Sequence, residues 1–242
     1  MPSYVSHTIM AKDVYKKLDN KNVDLDYMVT FSLGGDLCKY AKCRYESHHT
    51  KQKEFLYNMC DYIKNNNLID DKECLGVLYG HICHLVMDEE MHPFIKNVDK
   101  LCKKNKKNHT LLELYYDNYL TNLKYKVKLN KYNNKDLFKA KIDKKISNMI
   151  NYSYEKTYNC NNISRYYKFN ISLYKKIKYI YKLITFNFLK RISGMNRFLI
   201  VNKGIDLVKT SDRNNENIID CYNKSVDKAI KEINMFTKYL NE

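Results

Sequence analysis

Six glycines and two prolines are spread over 242 residues. So few breakers leave little room for closely spaced turns and favour long helices. Apolar residues recur at helical spacing along most of the chain. A first short helix is expected over Ile9–Leu18. The span Met28–Cys43 is interrupted by Gly34-Gly35-Asp36, which reads as a loop. Lys51–Lys64 puts Phe55, Met59, Tyr62 and Ile63 on one side and runs into Asn65-Asn66-Asn67, a loop. Asp71–Met91 is apolar over much of its circumference, through Leu75, Leu78, Tyr79, Ile82, Leu85 and Val86. That helix is expected to be central, with Pro93 at or just beyond its end. Lys96–Asn108 is basic, helical at first and then loop-like. Further helices are expected over His109–Leu123, Lys135–Tyr154, Tyr166–Ile192 and Asn215–Leu240. No repeat or linker divides the chain, so the expectation is a single all-α domain over residues 1–242.

The formal charge is +16, and it is unevenly placed. The span Lys96–Arg191 holds 24 Lys and Arg against six Asp and Glu, while the remainder is close to neutral. Such a surface favours anionic partners: phospholipid headgroups at a membrane, nucleic acid or phosphorylated substrates. A solvated helix surface accounts for the charge equally well. The eight cysteines form no CxxC pair, which argues against a zinc ribbon. Free thiols in a reducing compartment are the simplest account of them. With no secretory signal and no run of about 18 apolar residues, a cytoplasmic protein without a transmembrane segment is expected.

The chemistry concentrates in the histidines. Positions i and i+4 of a helix share one face. His84 and Asp88 therefore project together, as do His109 and Glu113 from another helix. His92 follows Asp88 by four residues. One such pair is commonplace and usually an ordinary side-chain contact. Two pairs plus His92 in an apolar region are what a zinc site needs, with imidazole and carboxylate donors held on rigid backbone. Burying so many of these groups without a metal would be unfavourable. Upstream, His7 lies in Ser6-His7-Thr8, Asp36 follows two glycines, and His48 and His49 precede a helix.

Five segments carry these residues in order: MPSYVSH, GGD, SHHTKQKEF, YGHICHLVMDEEMHPF and HTLLELYYDNYL. Together they resemble the zinc-dependent phospholipase C family, including its short members that begin Met-Pro. The likeness is most specific in the last two segments and weak after Tyr125. It implies a helical bundle of the phospholipase C type holding two or three zinc ions. By that resemblance, Asp36, His48, His84 and Asp88 would hold one ion, and His92, His109 and Glu113 a second. His7 and Asp88 would serve a third, with Asp88 bridging, and Asp36 would assist the attacking water. His48 and His49 compete for one position; the Ser-His dipeptide and the distance to Phe55 favour His48. His81 matches no ligand and lies on another side of its helix, where a hydrogen-bonding role is expected. The chain departs from the secreted members in lacking the Trp that binds the third zinc, and in its shorter Asp88-to-His92 spacing.

The expectation from the resemblance is a zinc-dependent hydrolase of phosphate esters, acting on a phosphodiester such as a phospholipid through a zinc-bound hydroxide. The alternatives are a zinc nuclease, since the related single-strand nucleases share the arrangement, and a non-catalytic, zinc-stabilised binding protein on the same scaffold. Tyr166–Ile192, with its stripe of Leu173, Ile177, Ile180, Ile184 and Phe188, could meet a membrane surface. Such a stripe is more often core.

Overall fold

The computed structural model describes residues 4–101, 108–132, 137–173, 208–210, 213–216 and 218–242. These are overwhelmingly helical. Helices α1 (Tyr4–Lys17), α2 (Leu25–Phe31), α3 (Arg44–His49), α4 (Gln52–Asn65), α5 (Lys72–Leu101), α6 (Asn108–Tyr125), α7 (Lys144–Tyr158) and α9 (Ile218–Asn241) are joined by α8, described over 164–173. A 3-10 turn, η1 (Gly34–Cys38), occupies the Gly-Gly-Asp segment. The fold is thus all-α, apart from a hairpin of Val208–Thr210 and Arg213–Glu216 that pairs antiparallel just before α9. No described helix is long and apolar enough to cross a membrane.

Helix α5 is the axis of the bundle, in contact with α1, α2, α4, α6, α7 and α9. Val77, Leu78, Ile82, Cys83 and Val86 are buried along it. Two glycines one turn apart let α2 lie directly on α5. A Cβ at Gly76 would sit 2.7 Å from the Asp24 carbonyl oxygen, and one at Gly80 would sit 2.7 Å from that of Met28. Side chains there would hold the helices apart. Asp24 caps α2 by accepting the Tyr27 N–H at 3.1 Å.

Several boundaries differ from expectation. Helix α1 begins at Tyr4 rather than Ile9, which places His7 on a helix. Helix α5 does not stop near Pro93 but continues through it to Leu101. Proline in a helix interior costs about 3 kcal/mol. Met91, Phe94 and Ile95, all buried around it, each contribute about 1.5–3 kcal/mol, so packing outweighs the break. Lys228 of α9 also reaches Glu89 and Glu90 at 2.8 and 3.0 Å, holding that turn against the bundle. Helix α7 starts at Lys144 rather than Lys135, because Asp143 caps it through the Ile146 N–H at 2.9 Å. Helix α9 starts at Ile218 rather than Asn215, after the hairpin. Of the expected helix Tyr166–Ile192, the part beyond Leu173 lies outside the described residues, as do 102–107 of the basic stretch.

Candidate metal centre

Helix α5 supplies His84, Asp88 and His92 from one face, and the other elements close around them. Asp88 is the hub. Its Oδ1 lies 3.3 Å from Nε2 of His7 on α1 and 3.4 Å from Nε2 of His92. Its Oδ2 lies 3.6 Å from Nε2 of His84. Across from them, η1 carries Asp36, whose Oδ1 lies 3.2 Å from Nε2 of His48 on α3. The His84 ring sits 4.8 Å from that of His7 and 5.7 Å from that of His48, between centroids.

The Gly-Gly pair makes this approach possible. Gly34 has φ +40, and a Cβ there would fall 2.3 Å from the His84 ring. A Cβ at Gly35 would fall 2.8 Å from the His48 ring. Only bare backbone fits between these imidazoles, and Gly34 also needs the left-handed conformation. Asn170 of α8 supports η1 from behind, donating from Nδ2 to the Leu37 carbonyl at 2.8 Å.

The hydrogen-bond inventory separates the histidines. His81 is buried and satisfied: Nδ1–H donates to the Val77 carbonyl at 2.9 Å, and Nε2 accepts the Tyr167 hydroxyl at 2.9 Å. Burial lowers its pKa to about 4. His84, one turn on and fully buried, has no hydrogen bond at either ring nitrogen. Nδ1 of His7 and Oδ2 of Asp36 are likewise buried without a hydrogen bond. Buried polar atoms normally have partners, and leaving one without costs about 1–3 kcal/mol. His48 is oriented from outside, as Nδ1–H donates to the Arg44 carbonyl at 2.7 Å. That bond turns the Nε2 lone pair toward the Asp36 carboxylate, an arrangement that requires a proton or a cation between them.

The electrostatics fit that picture. Burial holds His84 well below the usual histidine range, so its nitrogens stay neutral donors. Burial also opposes a charge on Asp88, but His84, His7 and His92 outweigh it and keep the carboxylate ionised. Burial, and then the Asp88 charge, raise the pKa of Asp36 against the pull of His48.

Two sets of three donors converge: His7, Asp36 and His84, and also His48, His84 and Asp88, each with one ligand atom per residue within 4.8 Å of the others. The ligands of a single zinc, each about 2 Å from the ion, span about 4 Å. A second region adjoins these sets. His7, Asp88, His92 and Glu113 line one small void, walled by Met87, Met91, Ile95 and Tyr116. Glu113 is buried on α6. His109 stands one turn before it on the same helix, and its side chain lies outside the described residues. His49 is exposed, its ring 4.5 Å from that of Tyr45.

One residue at the site has no counterpart in the sequence reading. Asp117, on α6 one turn beyond Glu113, accepts both the N–H and the hydroxyl of Ser6. The i,i+4 spacing from Glu113 was its only signal, and spacing alone does not name the partner.

Comparison of the chain with protein-family models, curated proteins and solved structures gives no match.

Proposed function

We propose that the chain is a zinc-dependent hydrolase of phosphate esters, with a phosphodiester as its substrate. The observation that carries this reading is His84: a fully buried imidazole with no hydrogen bond at either nitrogen, set between the carboxylates of Asp36 and Asp88. Imidazole and carboxylate donors are those that zinc prefers. Asp36, His48, His84 and Asp88 would hold one ion. His92 and Glu113, with His109 on the same face of α6, would hold a second, and His7 with Asp88 reaches a third position. Bound there, the metal would supply a Lewis acid for a phosphoryl oxygen and acidify a water.

The chain's own residues supply the rest. Oδ2 of Asp36 has no hydrogen bond of its own, so it can orient a water and take its proton. The Arg44 carbonyl fixes the His48 ring, so Nε2 keeps its direction through turnover. Attack at phosphorus would break the bond to the leaving oxygen, which takes a proton from solvent, while Asp36 releases to solvent the proton it accepted from the attacking water. Substrate would reach the site past its part-exposed side chains, among them His48 and His92, which are 13% and 26% exposed. The net positive charge of the chain favours an anionic substrate over a cationic one.

The test is zinc analysis of protein purified without added metal, followed by assay on bis-p-nitrophenyl phosphate, phosphatidylcholine and single-stranded DNA. Zinc with diester turnover is expected. Diacylglycerol release marks a phospholipase, and shortened DNA marks a nuclease. Stoichiometric zinc without turnover of any diester removes the catalytic reading and leaves a metal-stabilised binding protein. Absence of zinc rejects both.

A further inference from the structure

The contact between Ser6 and Asp117 joins two helices at the edge of the site. Ser6 lies in the first turn of α1, where backbone N–H groups have no acceptor within their own helix. Oδ1 of Asp117 accepts the Ser6 N–H at 2.7 Å and the Ser6 hydroxyl as well. Both residues are buried. A helix is usually capped by a residue just before it in sequence. Here the cap comes from another helix, and its negative charge also meets the positive end of the α1 dipole. His7 is the next residue, and Nε2 of His7 lies 3.3 Å from Asp88. A backbone pinned at Ser6 leaves the His7 ring little freedom to move away from Asp88.

We propose that Asp117 is a positioning residue that holds His7 in the metal centre by capping α1 from α6. This inference rests on the zinc reading above, in which His7 is a ligand. It also links two parts of the site. Glu113 and Asp117 share one face of α6, so an ion held at Glu113 and the placement of His7 depend on one rigid element.

The test uses the full chain with labelled histidine side chains. The variants are Asp117→Asn, which keeps the shape and removes the charge, and Ser6→Ala, which removes the hydroxyl donor alone. Imidazole NMR signals are recorded on metal-free protein, and zinc affinity is then measured against a chromophoric chelator. In Asp117→Asn the His7 signals should move while those of His81 stay in place, and zinc affinity should fall about 10- to 100-fold. Ser6→Ala should shift the same His7 signals by less. Unchanged His7 signals together with wild-type zinc affinity in Asp117→Asn would overturn the inference. If that variant does not fold, Ser6→Ala decides: unmoved His7 signals there also overturn it. A wild-type protein that binds no zinc would strike the proposed function, while the His7 signals in metal-free protein would still report on Asp117.

Discussion

Nε2 of His84 lies 3.6 Å from Oδ2 of Asp88, one helical turn away, and no hydrogen bond joins them. An imidazole and a carboxylate so close, both buried, could close that gap easily. The His84 ring is flanked by the His7 ring of α1 and by Gly34 of η1.

Replacing His84 should therefore act oppositely with and without metal. In metal-free protein, His84→Leu removes two buried atoms without partners and should raise stability by about 1–3 kcal/mol. With zinc, the wild type should gain a higher thermal midpoint, and the variant should gain less or nothing. Thermal melts of both proteins, with chelator and with zinc, provide the check.

Gly34→Ala should be strongly damaging. The new methyl would meet the His84 ring at 2.3 Å on a backbone with φ +40. Loss of about 2 kcal/mol or more is expected, along with most zinc binding. Gly35→Ala should instead disturb His48. Urea unfolding and zinc content of the two variants can be compared directly.

His81 predicts part of the acid response. Its folded pKa is depressed to about 4 from the usual 6.5. The native state thus keeps it neutral where the unfolded chain takes up a proton. Its contribution is complete above pH 6.5, falls as pH drops toward 4, and is level below that. The full effect is about 3 kcal/mol. His81→Gln should flatten the stability profile between pH 6.5 and 4 relative to wild type, measured by denaturant unfolding at a series of pH values.

Pro93→Ala should restore a backbone hydrogen bond inside α5. A gain of about 1–2 kcal/mol is expected once the looser unfolded chain is allowed for. An unchanged or lower urea midpoint would show that the break at Pro93 is itself needed.

Much of this was legible in the sequence where the relevant physics is local. Helical periodicity put His84, Asp88 and His92 on one face, and it placed Glu113 on the helix α6, where it is buried beside them. The run Leu75 to Val86 identified α5 as central. What local rules missed was decided by distant contacts. Pro93 is a reliable breaker until Phe94 and Ile95 have a core to enter. Gly76 and Gly80 look like weak points in a helix until α2 lies across them. Asp117 caps α1 at Ser6 from 111 residues away, a contact that spacing within α6 does not announce. Asp143, by contrast, is a cap for α7 that could have been read from the sequence.

Ser6 and Asp117 stand 111 residues apart in sequence, and the chain between them contains every other donor of the site. A contact of that range carries a larger loop-closure cost than the local contacts within a helix. Before α6 has left the ribosome and docked, the donors on α1, η1, α3 and α5 lack Glu113 beside them, and the Ser6 N–H lacks its acceptor, so the candidate site is complete only once the first half of the chain has been made.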